Sequence, residues 1–537
     1  MKALAGTGAL VRLALRRERI VMPAWIVLVL LFVVGTASYY AGLFPTEQAR
    51  TNYAQEIGST PALLAFGGQI FDPNSEAVAI WRASDTGYAL IGLIALLTVV
   101  RHTRTEEESG RQELLGAGVV GRHAPLTASL VVVWGGVLLA GMLVSLGLIF
   151  LVGLEPVGSL AFGLAIVAAG WIFAAVAAVA AQVFERSRAA IGTAAVVLGI
   201  SYVLRFVADG SGRFWLKWLT PTGWSHFVRP FADERWWVLG LSVSTTLVAA
   251  GAAYVLVARR DLGSGLLPDR LGPATGPGMR GPLVLAWRLQ RGLLVGWIIG
   301  LAAAGVLLGG LVGAATGSAD LVTQSPVLQE FLRRYTDSPD ATLQEAFLWL
   351  VSLTFGYTAA LYPALATLRL RSEEVAGRAE SVLATSVGRL RWAASHLAFA
   401  ALGTVSVMAA GGVTTGLAYG LVGGDLSAGF PRILAGALIQ VPAVWVLGGV
   451  TMLAFGVLPR FAVAVAWAGF LFIQLFEVLG PILGVDFGVV ETLVPFFHLP
   501  KILSGGEFTA TPLVVLTGVT LLLTAAGLFA FGRRDIA

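Results

Sequence analysis

The chain has 537 residues, of which 57% are hydrophobic and 12% charged, with a net charge of +5 and a mean hydropathy of +0.81. An ordinary globular chain carries roughly 25% charged residues, so this one lacks the polar surface that a soluble enzyme or a disordered chain needs. There is no cysteine, which excludes disulfides, thiolate metal sites and cysteine nucleophiles together. The five histidines include no His-x-x-x-His pair, so no metal site is expected. The composition predicts an all-α polytopic membrane protein. The basic charge fits topology rather than nucleic acid, because positive loops mark the inner side of a membrane.

In chain order, Leu10–Arg19 comes first and sets Arg12, Arg16 and Arg19 on one helical face. It reads either as an interfacial helix on an anionic leaflet or as the topology signal of the first span. A helix needs about 20 apolar residues to cross a bilayer. Twelve such stretches lie near 22–42, 81–101, 125–153, 159–184, 189–208, 236–258, 292–316, 347–368, 393–422, 430–457, 461–483 and 510–531. The first is span-length with no small-residue cleavage site after it, so it is expected to be a span and not a cleaved signal. Basic residues concentrate in alternate loops, which places both termini in the cytoplasm. Arginine far outnumbers lysine in an Ala/Gly/Val/Leu-rich chain. That usage suggests a high-GC bacterial genome, and hence the bacterial plasma membrane.

Between the sixth and seventh stretches, residues 259–282 are rich in glycine and proline and read as a cytoplasmic linker. The expected organisation is a six-span half over 1–258, this linker, and a second six-span half over 283–537. The outer segments 43–80 and 318–346 are long and net acidic. The outer segments 209–235 and 484–509 are aromatic and proline-punctuated. All four are expected to contain short helices.

The halves repeat. Residues 104–122, RTEEESGRQELLGAGVVGR, recur as residues 371–389, RSEEVAGRAESVLATSVGR, without a gap. Arg16, Arg19 and Trp25 recur as Arg288, Arg291 and Trp297. Pro61 and Phe66 recur as Pro326 and Phe331, and Arg259-Arg260-Asp261 as Arg533-Arg534-Asp535. A six-span unit is even, so the repeats run parallel, related by an axis along the membrane normal.

In the first copy, Glu106 and Glu113 are seven apart and share a helical face. Glu107 and Arg111 stand as i, i+4 partners. A loop under topological constraint alone needs positive charge, not a copied acidic-then-basic pattern. The segment therefore reads as a dock for a cytoplasmic partner, against the plainer reading of a positive loop.

Within the spans, Arg205 and Glu477 occupy equivalent positions near outer ends, at an offset of 272 set by Arg188 and Arg460. Intramembrane charges are costly and point to function. The two either pair across the pseudo-two-fold axis to close a pathway or snorkel separately. Tyr202 and Gln474 lie one turn further in. Trp467, Phe470, Phe472 and Phe476 form an apolar surface for a lipophilic substrate or pack as ordinary aromatics. Gly305, Gly309, Gly313 and Gly317 form a stripe suited to close helix approach.

Three lysines occur, Lys2, Lys217 and Lys501, and none sits in a Gly-Lys-Ser/Thr run. A Walker A loop is therefore absent from the sequence, and any ATP and Mg would be held by another chain.

The Glu-Glu-x-x-Gly-Arg-x-Glu segments resemble permease subunits of type-2 ABC transporters. So do Leu219-Thr220-Pro221-Thr222-Gly223-Trp224, Val228-Arg229-Pro230-Phe231 and the terminal Arg-Arg-Asp. Most closely the chain resembles the fused twelve-span permeases of actinobacterial polyketide-antibiotic exporters. The resemblance implies two copies of a P-loop ATPase docked on Arg104, Glu106, Glu107, Arg111, Glu113 and Arg122 and on Arg371, Glu373, Glu374, Arg378, Glu380 and Arg389. The second copy departs at Val375 and Arg391, where the first has Glu108 and Ala124. The resemblance also implies export of hydrophobic or amphipathic compounds, with no catalytic residue, cofactor or nucleic-acid site on this chain. Two other classes compete. A proton-coupled carrier of major-facilitator type would share the six-plus-six organisation, but this chain lacks the Gly-x-x-x-Asp-Arg loop. A membrane-embedded enzyme would need a nucleophile–base pair, and none is legible.

Overall fold

The computed structural model describes residues 3–73, 76–112, 118, 120–261, 263–267, 278, 281–314, 329, 332, 335–338, 341–423, 426–482 and 487–535, without the side chains of 62, 428, 477–482, 487, 490 and 491. Glu113, Gly317, Pro326 and Phe331, and most of 259–282 and 318–346, lie outside these residues. The chain separates into two compact units, Met1–Gly272 and Pro273–Ala537.

The first unit begins with α1 (Thr7–Glu18) and α2 (Val21–Leu43), followed by α3 (Glu47–Ser59) and α4 (Pro61–Gly67). Then come α5 (Ala77–His102), α6 (Arg104–Glu108), α7 (Ala124–Gly147), α8 (Pro156–Val183), α9 (Ser187–Gly210), α10 (Pro221–Phe227) and α11 (Trp236–Arg259). The second unit has α12 (Pro282–Ala314), α13 (Leu343–Ala359), α14 (Leu361–Val375), α15 (Arg378–Leu383), α16 (Arg389–Gly423), α17 (Leu426–Leu438), α18 (Val441–Val457), α19 (Ala462–Ile482), α20 (Phe487–Leu493) and α21 (Thr511–Arg533). Among the described residues, 11 helices are long and apolar enough to span a membrane. The stretch near 461–483 forms α19, whose shorter apolar part Ala462–Phe476 falls below that length. The protein is thus a polytopic all-α membrane protein.

Local chemistry sets the helix ends. Glu155 caps α8 by accepting from the amides of Val157 and Gly158, and Thr342 and Glu345 form a capping box at α13, satisfying donors that helix starts leave free. The α13–α14 interruption at Ala360 lies just before Pro363, which has no N–H to return to Ala359. In unit 1 the core is α8, with small residues on most of its faces buried. In contrast α21 buries only Leu516, Gly527 and Phe531, and it leaves Leu522 72% exposed. An apolar surface of this kind is a lipid-facing one. The glycine stripe does what its spacing predicts. A Cβ at Gly305 or Gly309 would collide with Thr414, Thr415 and the backbone of α16, and one at Gly313 with the Tyr419 carbonyl, so α12 and α16 approach backbone to backbone.

Candidate functional site

The repeated segment builds the same clasp in both units. In unit 1, α6 continues α5 and ends before Gly110, whose φ of 71° is left-handed and stops a helix. Glu107 ion-pairs with Arg104. It also receives both terminal nitrogens of Arg260, Nη2 on Oε1 at 2.5 Å and Nη1 on Oε2 at 2.8 Å. Such forked, charge-assisted bonds are among the stronger polar contacts in proteins. Arg104, fully buried, donates to the carbonyls of Phe184 at 2.6 Å and Ser264 at 2.7 Å. Arg122, at the far end of the motif, donates to the carbonyls of Val257 at 3.0 Å and Arg260 at 2.5 Å.

In unit 2, Glu374 receives Arg534 through Nη1 at 2.7 Å and Nη2 at 2.6 Å. Arg371 donates to the Pro459 carbonyl at 2.7 Å, and Arg389 to the Arg534 carbonyl at 2.9 Å. In both units the motif's second glutamate and last arginine hold the Arg-Arg-Asp end of the last long helix, while its first arginine braces a neighbouring backbone carbonyl. The copied pattern is therefore accounted for by an intramolecular clasp. Sequence reasoning finds the Arg-Arg-Asp recurrence but assigns it no site.

One predicted detail changes. The Glu107–Arg111 i, i+4 pair does not form, because the helix ends between them. Arg111 instead lies 3.4 Å from Glu106, which also meets Arg17 at 2.6 Å. Glu373 is held by Arg369 at 2.8 Å and Arg378 at 2.7 Å, and hydrogen bonding to Glu373 raises the Arg378 pKa. Glu108, where the second copy has Val375, accepts from the Ser187 amide at 2.5 Å and hydroxyl at 2.6 Å. Arg111, Arg378 and Glu380 remain exposed.

Near the clasp, Glu18 ends α1 with its carboxylate 2.8 Å from His102 Nε2 and 3.2 Å from Arg101. Burial pushes its pKa up, but the His102 hydrogen bond and the Arg101 charge outweigh this, so the net shift is downward from 4.5. A carboxyl lowered in the folded state stabilises above its unfolded pKa and loses that contribution as pH falls through the folded value. The melting temperature of the purified protein is expected to fall with acidification below about pH 4.5, and less steeply in Glu18→Gln. Equal slopes would contradict this role.

Toward the opposite end of α5, unit 1 buries a charge cluster that the sequence reading misses. Arg205 meets Asp85 at 2.5 Å and Asp209 at 3.4 Å, and donates to the Ala65 carbonyl at 2.8 Å. Lys217 meets Asp209 at 2.7 Å, and His226 Nε2 hydrogen-bonds Asp85. No member is more than 6% exposed. Two carboxylates, Asp85 and Asp209, face two cations, Arg205 and Lys217. Lys217 lies outside the spans, and burial lowers its pKa despite Asp209. Gly68, with φ of 81°, sits against the His226 ring, where a Cβ would reach 2.5 Å from Cε1. Trp81 Nε1 donates to its carbonyl at 2.7 Å.

Of the pathway candidates, Tyr202 packs its ring 4.8 Å from the Arg205 guanidinium. Arg205 has its charge met inside its own unit, by an acid on α5, and does not snorkel to the surface. Glu477 lies on α19, with its side chain outside the described residues. Gln474 is half-buried, and its Oε1 has no hydrogen-bond partner among them. Phe470 meets Trp467 edge-on at 6.0 Å, and Phe472 stacks on Phe476 at 4.5 Å, while Trp467 and Phe472 stay partly exposed. The residue 267 positions after Asp85 is Ser352, which donates to the Gly436 carbonyl at 2.6 Å and accepts from Gln440 at 3.3 Å. At this one position unit 1 has a charge and unit 2 a neutral hydrogen-bonded hydroxyl.

Residues 279–532 match a family described as the C-terminal domain of the multidrug efflux system permease Rv1217c. Across 540 aligned residues, 99% of this chain and 95% of the relative, the sequence is 41% identical to the multidrug efflux system permease protein Rv1217c of Mycobacterium tuberculosis (strain ATCC 25618 / H37Rv).

Proposed function

Because the chain belongs to the family of Rv1217c-type multidrug efflux system permeases, we propose that it is the membrane subunit of an ATP-driven ABC exporter of hydrophobic or amphipathic compounds, drugs or lipids among them. In this reading the chain supplies twelve spans as two parallel repeats, sits in the bacterial plasma membrane with both termini in the cytoplasm, and is not itself an enzyme. Two copies of a P-loop ATPase bind ATP and Mg and dock on the two copies of the repeated segment. The absence of a Gly-Lys-Ser/Thr run from the sequence supports leaving hydrolysis to those partners.

The observation that carries the coupling is the clasp built twice, Glu107–Arg260 and Glu374–Arg534. It ties the partner-facing segment to the end of the last helix of each unit. A push on the segment is thereby a push on a span. Transport then follows if ATP binding favours one arrangement of the spans over another.

The test is co-purification of this chain with the products of its neighbouring genes. Two stoichiometric copies of a P-loop ATPase are expected, and they are expected to be lost in Arg111→Glu/Glu380→Arg. Those two side chains are exposed, so their reversal leaves the clasps intact.

The buried Asp85–His226 pair favours a second reading, a proton-driven carrier, since intramembrane acid–histidine pairs serve proton relays. Arg205 already neutralises Asp85, which weighs against it. A chain that purifies alone, and moves substrate in vesicles with a proton gradient and no ATP, would establish this second reading and overturn the first.

A further inference from the structure

Where α1, the repeated segment and the end of α11 meet, unit 1 holds an open cavity of about 670 Å³. Ligand pockets run roughly 300–1,000 Å³ and combine apolar walls with a few convergent polar groups. Here Leu13, Leu126 and Val257 line the apolar side, and Arg122, His123 and Ser129 the polar side. Ser129 is 1% exposed, yet its Oγ has no hydrogen-bond partner among the described residues, and neither has the buried Nδ1 of His123. Buried polar atoms are nearly always satisfied, so two orphans on one cavity wall point to a ligand that completes them.

The wall also selects the sign of the ligand's charge. Its two glutamates, Glu106 and Glu107, already have arginine partners. Asp261 is exposed at the rim. Arg122 gives its N–H groups to two carbonyls and has no ion pair with a carboxylate among the described residues. The 24-residue helix α7 starts at this wall with no side-chain cap and no acidic residue in its first turn. Of its first amides, that of Ala124 donates to the Gly121 carbonyl and Pro125 has none, but the helix start still carries partial positive charge, which favours an anion.

We propose that this cavity binds an anionic amphiphile, with its carboxylate or phosphate against Arg122 and the start of α7 and its apolar body against Leu13, Leu126 and Val257. The inference rests on the efflux reading for its meaning, since it names a class of compound that the permease would take up. Binding itself is measured without transport.

The experiment uses the full chain in detergent, titrated with 11-(dansylamino)undecanoate, a fluorescent carboxylate amphiphile, and with its methyl ester. Saturable binding of the acid is expected, with the ester weaker by roughly tenfold or more. Ser129→Leu, which fills the cavity, should weaken the acid to a similar extent. Leu13→Trp fills it from the more exposed helix α1 and serves if Ser129→Leu fails to fold. An ester that binds as tightly as the acid, or a folded filling variant that binds like wild type, would overturn the site. Displacement of the probe by phosphatidylglycerol would identify the natural occupant as a membrane lipid. Displacement by free fatty acid alone would identify it as a transported amphiphile. Either result sustains the site. No ATPase is present, so loss of binding leaves the efflux reading standing, and a failure of efflux leaves the site standing.

Discussion

Arg205→Met is expected to unfold the charged end of unit 1. The side chain is fully buried, and its removal leaves Asp85 with only His226, and Asp209 with only Lys217. Removing one partner of a buried ion pair costs roughly 3–5 kcal/mol, because the remaining charge stays out of water. That is a large share of the roughly 5–15 kcal/mol by which domains are typically stable. Arg205→Met should therefore give a low yield of monodisperse protein and a clearly lower melting temperature in detergent. Arg205→Met/Asp85→Asn removes one charge of each sign and should recover much of the loss, leaving Asp209 with Lys217. The cycle isolates the pair, since neighbours that share a network are not additive. A single variant that melts with wild type would show that the cluster is solvated and that Arg205 does not hold this end of the unit together.

The spans are legible because a bilayer demands long apolar runs, and no tertiary contact is needed to see them. Their ends are less so. The seventh apolar stretch begins near residue 292, whereas α12 starts at Pro282. Arg288 and Arg291 resemble flanking charges in the sequence, but both are exposed on the helix, where long side chains can reach polar surroundings while the helix continues.

The clasp is half legible. Both copies of each element are visible as repeats, but which element meets which is fixed by folding across 153 residues between Glu107 and Arg260. One sign is available: two motifs of opposite charge, each duplicated in the same order. The charge cluster is hidden by the duplication itself. A search for equivalent positions finds Arg205 and Glu477, but it passes over Asp85, whose equivalent is the neutral Ser352. The usable signal is simpler. Asp85 lies inside a predicted span, and an acid there needs a cation nearby.

The two clasps are not equally redundant, and this sets the second large effect. Glu107 has two cations, Arg104 and Arg260, whereas Glu374 has Arg534 alone among the described residues. Arg260→Ala leaves Glu107 still paired. Arg534→Ala strands Glu374, whose side chain is 7% exposed, and also removes a guanidinium packed 4.8 Å from the Phe455 ring. Hydrogen bonds to charged groups contribute about 1.5–3 kcal/mol. If the closed clasp transmits ATPase movement to α21, its loss should lower efflux about ten- to hundredfold in Arg534→Ala, and only a few-fold in Arg260→Ala. Glu374→Arg/Arg534→Glu should restore part of the rate, because the fork is rebuilt with its polarity reversed. The measurement is drug efflux from cells with matched surface levels of each variant. Equal losses in the two single variants would mean the clasps are structural staples only. A swap that stays as inactive as Arg534→Glu alone would show that Arg534 acts on something other than Glu374.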